Sequence, residues 1–579
     1  MPTPKELFLE TIRPDGQPER ALKQYEALSM CLDDPINTFL RGNRKRGTTS
    51  VDRWGTTISF PETAPGPMPL HGEGLTVCPD ITRWEETVRV PDIAGRCTEG
   101  WEECRTRARE RCGEDKLLTA FMGTGIFEQC HFLMGFEDTL TNLYEHPQEM
   151  HALIETITEY RILYAKLLID NLRPDAILSH DDWGTKAALF MKPEMWREFF
   201  KEPYRRFYGY IRSRGVIAIH HADSYLVPIV DDMAEIGIQV WQGTLPENDI
   251  PALQRHLQGK LTLMGGFGAA IDRADAQPEE ILDYAARTLR ACCPGGHFIP
   301  CITYGLPGAV FPQVDQSLNE AVDRYNAELH VPHFPLPAVP RRCKSLQTAG
   351  SAGDTAAAAD DSGADLMSRI AKALEHGQQK KLLQLCQQAL DDGYAPQEIL
   401  SQGMMQGMNV LGEAFSANRA FVPEMLMAAR CMTAATEMLK PYMISENAEQ
   451  LGRVCLGTVK GDMHDIGKNL VKIMMEGSGI EVIDLGVDVD PQDFVDTAVA
   501  EHCGIIACSS LLTTTMQEMQ SVVQLVARRG LRDNIKIMVG GAPISQNFCE
   551  SIGADIYTAD AAAAARAAVQ VFQDRKSAG

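Results

Sequence analysis

Three groups of polar and small residues in the last quarter of the chain have the types and spacing of a ligand-binding site. They are Asp462, His464, Asp465 and Gly467 in GDMHDIGK, then Ser509, Leu511, Thr513 and Thr515 in SSLLTTT, then Gly540 and Gly541 in VGGAP. The first group follows an apolar run and turns directly into a helical pattern. Because a histidine between two aspartates is unusual in such a turn, we predict that this loop holds a ligand.

The elements that must position these residues alternate between strand and helix from Arg453 onward. The strand-like runs are VCLGTV, EVIDLGVDV, GIIACSS, IKIMVGG and ADIYTAD, and helical patterns separate them. This alternation predicts a Rossmann-like, doubly wound parallel sheet. Ligands in such sheets bind beyond the carboxyl ends of the strands. His464, the hydroxyl cluster and the glycine pair each follow a strand, so we expect them on one rim.

A helical segment of about residues 365–445 precedes this sheet. Apolar residues recur every three or four positions in four stretches, for example at Met404, Met408 and Leu411. This pattern predicts a four-helix bundle. We interpret most of its methionines as core residues, and some as contacts for a flat apolar ligand, because methionine adapts to irregular surfaces.

The three motifs together resemble the cobalamin-binding signature D-x-H-x-x-G, S-x-L, G-G of corrinoid proteins in methyltransferase systems and of methionine synthase. GMNVLGEAF and FVPEML in the bundle are similar to the helical cap of those proteins. The resemblance implies that His464 is the lower ligand of cobalt and that Asp462 orients it. It also implies that Ser509 or Thr515 extends this chain of hydrogen bonds behind Asp462. The nucleotide tail of the corrinoid is then expected beside the three glycines, Gly467, Gly540 and Gly541.

Residues 1–340 also show strand-then-helix alternation, with polar or glycine residues at six strand ends. These strand ends carry Gly123 and Glu128; His180, Asp181, Asp182 and Trp183; His220, His221 and Asp223; Trp241 and Gln242; Gly265 and Gly266; and Cys301 and Tyr304. The pattern predicts a TIM-like (β/α)8 barrel, whose site lies at the carboxyl ends of its strands.

This half is similar to the uroporphyrinogen decarboxylase-like methyltransferases through HDDWGTKAALF, VIAIHHADSYLVPIVDDMAEIGIQVWQG and LMGGFG. The decarboxylases' arginine-rich N-terminal motif is not found, so we do not expect decarboxylation. Zinc methyltransferases of that group carry H-x-C and a distant cysteine, and the matching residues here are His221, Asp223 and Cys301. Zinc accepts carboxylate in place of thiolate, so the resemblance implies zinc at these three residues.

Other assignments of the same polar residues stay open. Alternative zinc ligands are His220, His180, Asp181 and Glu128. His220 and Asp223 could instead bind substrate by hydrogen bonds. The catalytic residues that we predict are Asp181, Asp182, His220 and Glu128, with Asp181 or Asp182 as general acid.

Composition restricts the partners and divides the chain. The net charge of −23 argues against a nucleic-acid partner, because phosphate binding needs a basic surface. No signal peptide or membrane-length apolar run is found, which predicts a cytoplasmic protein with reduced cysteines.

Residues 341–364 are rich in Ala, Gly, Ser and Asp, a composition that predicts a flexible linker. The predicted domains are 1–340, 365–445 and 450–579.

The two resemblances together imply a methyltransferase that carries its own corrinoid. A methyl group would pass from a small donor in the barrel to Co(I), and then to tetrahydrofolate or a thiol through a second methyltransferase. A reductive activase would be a further partner. Trp183, Trp241 and Tyr304 favour a methoxylated aromatic donor and hence O-demethylation. The alternatives are a chloromethane dehalogenase, a methylcorrinoid:thiol methyltransferase and a corrinoid sensor without catalysis.

Overall fold

The chain forms two compact units, which are described separately. The structure is a computed structural model, and it describes residues 2–42, 45–61, 66–304, 309–329, 365–416, 419–443, 451–462, 466–510, 515–541, 543–559 and 561–578. The predicted linker, 341–364, lies outside these residues. The domain boundaries therefore stay predictions.

The first unit is built on a curled sheet of parallel strands. In the part of the chain that the structure describes, the sheet has seven strands in the order β1-β5-β6-β7-β8-β9-β10. These strands are β1 Leu28–Cys31, β5 Leu117–Met122, β6 Ala176–His180, β7 Ile217–His221, β8 Val240–Thr244, β9 Thr262–Phe267 and β10 Phe298–Ile302. A small antiparallel sheet is formed by β2 Thr48–Val51, β3 Thr57–Phe60 and β4 Met68–Pro69.

Helices follow the strands and cover the outer face of the sheet, as expected for βα units. They are Pro4–Thr11, Pro35–Arg41, Trp84–Thr87, Ile93–Arg96, Trp101–Cys112, Ile126–Met134, Phe136–Glu145, Pro147–Asn171, Pro193–Trp196, Glu202–Ser213, Val230–Glu235, Ile250–Leu257, Pro278–Cys292 and Pro312–Leu329, with a π-helical turn at Arg197–Lys201 and 3-10 turns at Ile81–Arg83, Val227–Ile229, Pro246–Asn248, Ala269–Ile271 and Cys293–Gly295. The six predicted strands are all present. The four-residue strand β1 was not predicted.

A side chain from the segment before β1 reaches β10, the strand at the other end of the sheet. Gln24, from the segment before β1, accepts a hydrogen bond from the backbone N–H of Ile302 in β10 at 3.1 Å. Apolar residues from β1 and β10 share one buried cluster, which includes Leu28 and Ile299. The predicted barrel-like α/β architecture is confirmed.

The second unit begins with the predicted helical bundle. Its helices are Leu366–Glu375, Gln379–Asp391, Pro396–Glu398 continued by a π-helical turn at Ile399–Met404 and by Met405–Ser416, and Val422–Met443. Met404, Met408, Met425 and Met432 are buried. They share one core with the inner residues of the following sheet, such as Leu456.

The following sheet is parallel throughout, with strand order β12-β11-β13-β14-β15. Its strands are β11 Arg453–Thr458, β12 Glu481–Asp484, β13 Ile505–Ser509, β14 Lys536–Gly540 and β15 Ile556–Thr558, and its helices are Ile466–Gly477, Pro491–Ala500, Gln517–Arg528, Gln546–Ile552 and Ala561–Ala578. The direction of the strand order reverses between β11 and β13. In open α/β sheets this reversal marks the ligand crevice. The predicted doubly wound sheet is confirmed.

No helix among the described residues combines the length and the apolar content that crossing a bilayer requires.

Candidate functional sites

His221 at the end of β7 is held with one ring nitrogen turned away from its protein partner. Its Nδ1 is hydrogen-bonded to Oε1 of Gln242 on the neighbouring strand β8, in register with it. Since an amide oxygen only accepts, Nδ1 carries the proton and Nε2 keeps its lone pair. Burial, followed by the charge of His180, lowers the pKa of His221 to about 3, so the ring is neutral. A neutral imidazole held in this way has a lone pair that can serve a metal ion.

A β-bulge positions Gln242. The register between β8 and β9 shifts between Gln242 and Thr244. Gly243 between them has φ 96°, and a Cβ there would lie 2.7 Å from the carbonyl oxygen of Ala222. Bulges commonly redirect side chains at functional sites. The glycine is therefore required for the turn that presents Gln242 to His221.

Two carboxylates complete a group of three potential ligands with His221. One ligand atom each from Asp182, His221 and Asp223 lie within 4.8 Å of one another. Asp182 Oδ1 accepts from the backbone N–H of Asp223 at 3.0 Å, which joins the loops after β6 and β7. Burial, with the charge of Asp182, raises the pKa of Asp223 to about 7. Zinc is bound by nitrogen and carboxylate oxygen ligands, and catalytic sites leave one position open. These three residues fit zinc.

Glu128 and His180 form a second pair beside this group. His180 Nδ1 lies 2.9 Å from Glu128 Oε2, and its Nε2 lies 3.9 Å from Asp182 Oδ2. Burial opposes ionisation of His180, but the charge and hydrogen bond of Glu128 raise its pKa to about 10. The rings of His180 and His221 stack with centroids 4.6 Å apart. These five residues, Glu128, His180, Asp182, His221 and Asp223, are called the barrel cluster.

Asp181, predicted to be catalytic, caps a helix in the structure. Its Oδ2 and Oδ1 accept from the backbone N–H groups of Phe127 and Glu128, both at 2.9 Å, at the start of helix Ile126–Met134. Tyr204 also donates its hydroxyl to this carboxylate. The side chain is fully buried. A carboxylate with these partners positions the helical turn that carries Glu128, and its predicted catalytic role stays a prediction.

His220 and the nearby aromatic residues belong to the core. His220 is fully buried, its Nδ1 lies 2.6 Å from Tyr208 Oη, and its ring stacks on Trp183 at 4.1 Å. Trp183 and Trp241 are fully buried too. Tyr304 donates its hydroxyl to Asp272. The structure therefore does not show these three aromatic residues as a substrate pocket.

Cys301, which the resemblance offered as a third zinc ligand, lies in β10 and is close to Gln242. It is fully buried, and hydrogen bonding to Gln242 and Tyr25 influences its thiol, whose pKa burial raises to about 12. Among the described residues, potential ligand atoms of His221, Asp223 and Asp182 lie within 4.8 Å of one another. Cys301 belongs to no such group among those residues. Asp182 therefore joins His221 and Asp223 where the resemblance implied Cys301.

In the second unit, Asp462 follows β11 and is hydrogen-bonded to hydroxyl groups that follow β13. It is fully buried, and its Oδ2 accepts from Thr515 Oγ1 at 3.0 Å and from Ser510 Oγ at 3.3 Å. Ser510 Oγ and Thr515 Oγ1 lie 2.9 Å apart, so Ser510 can donate its single proton either to Thr515 or to Asp462. The predicted partners were Ser509 or Thr515. Ser510, one position later, takes the place of Ser509, which lines the cavity described next.

An apolar cavity of about 310 Å³ lies between the bundle and the sheet. Met408, Phe415 and Met425 line it from the bundle; Gly467 lines it from helix Ile466–Gly477, and Gly540 and Gly541 line it from the end of β14. A Cβ on Gly541, which has φ 129°, would lie 1.9 Å from the carbonyl oxygen of Ser510. The cavity fits the flat, apolar base of a corrinoid's nucleotide tail. His464, Asp465, Leu511 and Thr513 lie outside the described residues.

Comparisons with known proteins divide the chain in the same way. Residues 54–325 match the family model "Uroporphyrinogen decarboxylase (URO-D)", while 366–440 and 452–569 match two models described as "B12 binding domain". The chain is 36% identical over 207 residues to dimethylamine corrinoid protein 3 of Methanosarcina acetivorans, which is 36% of this chain and 97% of that protein. The chain belongs to the corrinoid protein family.

Further members of the corrinoid protein family show the same extent of similarity. Monomethylamine corrinoid protein 2 of Methanosarcina acetivorans is 38% identical over 196 residues, which is 33% of this chain and 90% of that protein. The solved structure of the Methanosarcina barkeri monomethylamine corrinoid protein is 33% identical, covers 36% of this chain and 98% of its own, and has a TM-score of 0.27.

The predicted combination is confirmed, because one chain carries a URO-D-like domain and the two parts of a cobalamin-binding corrinoid protein. The chain is a corrinoid-dependent methyltransferase with its corrinoid protein attached. The predicted cobalamin cofactor is confirmed, and the URO-D-like fold is compatible with zinc.

Proposed function

We propose that the barrel binds a small methylated donor at the barrel cluster and that the methyl group passes to the corrinoid held by the same chain. The observation that carries this proposal is the group of Asp182, His221 and Asp223 at the carboxyl edge of the barrel sheet. Site residues at this edge are the rule in barrels of this kind.

The protein's residues divide into three roles under this proposal. Asp182, His221 and Asp223 would hold zinc, and Gln242 fixes the ring of His221. His464 would ligate cobalt, with Asp462, Ser510 and Thr515 behind it. When bound, Co(I) supplies the nucleophile and zinc a Lewis acid for the leaving atom of the donor. Glu128 and His180 form a wall of the donor site beside Asp182.

Two donor classes are supported by different observations. A methoxylated aromatic donor is the first choice from the sequence. Trp183 and Trp241 no longer support that choice, because both side chains are fully buried. A methylated amine is the second candidate, because the curated relatives are named as mono- and dimethylamine corrinoid proteins. Onward transfer would need a second methyltransferase, and a reductive activase would restore the cofactor. We place the reaction in the cytoplasm.

The test uses the full chain, loaded with cobalamin and zinc and reduced to Co(I). An anisole-type ether, a methylated amine, a methylated thiol and chloromethane are each added, and the demethylated product and the corrinoid spectrum are followed. We expect product from one class. His221→Ala should yield none while keeping its corrinoid. If the loaded wild-type protein demethylates no donor, the proposal is wrong.

A further inference from the structure

Two cysteines and an aspartate lie together where β1 ends, and none of them belongs to the barrel cluster. Cys31 is the last residue of β1, Asp33 follows it, and Cys104 lies in helix Trp101–Cys112. One potential ligand atom from each of the three residues lies within 4.8 Å of the other two. These three residues are called the thiol cluster.

The distances within the thiol cluster match those between ligands of one tetrahedral metal ion. The two sulfur atoms lie 3.9 Å apart, and Cys31 Sγ lies 3.6 Å from Asp33 Oδ1. Two thiolates that each bind zinc at ~2.3 Å in tetrahedral geometry lie about 3.8 Å apart, and a thiolate and a carboxylate oxygen lie about 3.5 Å apart. The observed separations are therefore already close to those that such an ion requires.

The two thiols are buried, whereas the carboxylate is exposed. Cys31 and Cys104 have almost no accessible surface, and Asp33 lies at the surface. Each thiol donates a hydrogen bond to Asp33: Cys31 to Oδ1, and Cys104 to the backbone carbonyl oxygen at 3.8 Å. Because an S–H group is a weak donor, an ion that replaces the two thiol protons breaks only weak hydrogen bonds. The exposed carboxylate gives that ion access from solvent.

Two arginines of the same helix supply positive charge beside the thiol cluster. Arg107 Nη2 lies 3.3 Å from Asp33 Oδ2, and Arg111 Nη2 lies 3.0 Å from Asp33 Oδ1. Two thiolates and a carboxylate carry one negative charge more than a divalent ion neutralises. The guanidinium groups offset this excess and favour the thiolate form of a nearby cysteine. They also hold the carboxylate in place, as hydrogen bonds around a metal site commonly do for its ligands.

We propose that Cys31, Asp33 and Cys104 bind one thiophilic divalent cation of the zinc class. Thiolate ligands select such ions over magnesium or calcium. The two thiol protons pass to solvent when the ion binds. Water takes the fourth position, since the three residues leave it open. Strand β1 pairs with one neighbour, β5, within the described sheet. The ion therefore fastens an edge strand to helix Trp101–Cys112, and this role does not depend on the proposed function.

Cadmium alone tests the site, because cadmium bound to thiolate absorbs in the ultraviolet and the other two groups of potential ligands among the described residues contain no cysteine. Cadmium is titrated into the full chain before corrinoid is added, with a phosphine reductant present. We expect one equivalent of cadmium to produce the thiolate absorption in the wild-type protein. Cys31→Ser and Cys104→Ser should lose it. Cys112→Ser is the matched control and should keep it, because Cys112 is a buried cysteine of the same helix outside the cluster.

Asp33→Asn keeps both thiols and changes only an exposed side chain, so it tests the site even if a cysteine variant does not fold. We expect its cadmium affinity to fall at least ~10-fold, because the loss of a residue that merely supports a ligand already costs that much. Equal cadmium affinity in Asp33→Asn and the wild-type protein would overturn the proposal. No thiolate absorption in the wild-type protein, or absorption that survives in both Cys31→Ser and Cys104→Ser, would overturn it too.

Zinc-dependent unfolding tests the proposed fastening of β1. The background is His221→Ala, so that zinc at the barrel cluster does not contribute. We expect zinc to raise the urea midpoint of barrel unfolding in His221→Ala, because an ion that binds only the folded chain stabilises it. The midpoint should not rise when Cys104→Ser is added to this background. An equal rise in both proteins would show that zinc acts elsewhere and would contradict the role in fastening β1.

Discussion

Hydrogen bonds behind a metal ligand decide which of its atoms faces the metal and how basic it is. In the barrel, Gln242 performs this role for His221 through the Nδ1 contact. In the corrinoid-binding unit, Ser510 and Thr515 hold Asp462, the predicted partner of His464. These supporting residues lie close enough to the ligands to change metal binding without removing a ligand, so they give the sharpest tests at the residue scale.

Gln242→Leu removes the acceptor for His221 Nδ1–H and leaves that N–H without a partner in a buried site. We expect zinc affinity to fall ~10- to 100-fold, the usual effect of losing such a partner. Competition with a chromophoric chelator measures it. Gln242→Glu is the matched control, because it keeps an acceptor oxygen at the same distance along the side chain. Unchanged zinc affinity in Gln242→Leu would show that His221 is not held for a metal.

Thr515→Val removes one hydroxyl donor from Asp462 and keeps the shape of the side chain. The lost bond contributes ~1 kcal/mol, which is about a fivefold change in the balance between histidine-ligated and unligated corrinoid. We therefore expect the visible spectrum of the bound corrinoid to move towards that of His464→Ala. Thr515→Ser should keep the wild-type spectrum. If His464→Ala itself has the wild-type spectrum, His464 is not the lower ligand.

At the scale of elements, helix Ile126–Met134 presents Glu128 to the barrel cluster because Asp181 fixes its first turn. Asp181→Ala would remove the acceptor of the buried N–H group of Phe127 and of the part-buried N–H group of Glu128. We expect it to lower the free energy of unfolding of the barrel by ~1–3 kcal/mol per unsatisfied group, measured by urea denaturation. Asp181→Asn should lose less, because one acceptor oxygen remains. A variant that loses activity at wild-type stability would instead support the predicted general acid.

Periodicity found the elements that are long or flanked by motifs. Six barrel strands and all five strands of the second sheet are present where the sequence predicted them. Strand β1, LSMC, was missed because its four residues stand alone, whereas the equally short β12 lies within the longer run EVIDLGVDV. Its position beside β5 is set by long-range pairing with Leu117 and its neighbours. Such pairing leaves no local pattern in a single sequence.

The candidate sites were predictable where one loop carries the residues. Asp462, the glycines and Thr515 lie in contiguous motifs, and the structure brings them to one crevice. Gln242 and Asp182 meet His221 and Asp223 only through pairing between β6, β7 and β8. The sequence indicated that these residues are polar and lie at strand ends. It did not indicate that Asp182, and not Cys301, would lie beside His221 and Asp223. Ser510 was missed because it differs from Ser509 only in the face of the chain that it occupies.

At the scale of the whole molecule, the chain holds the two metal sites of the proposed reaction in two separate compact units that share no ligand residue. We therefore expect one cobalt in the second unit and one zinc at the barrel cluster, each removable without loss of the other. Dialysis against a zinc chelator should abolish demethylation while leaving the corrinoid spectrum unchanged, and added zinc should restore the rate. His221→Ala should behave like the chelated protein and stay inactive when zinc is added. Thr515→Val should keep its zinc while its corrinoid spectrum changes. A corrinoid spectrum that shifts when zinc is withdrawn would mean that the two sites are coupled. Full activity after complete zinc removal would show that the reaction needs no metal at Asp182, His221 and Asp223, the one group of potential ligands among the described residues that includes His221.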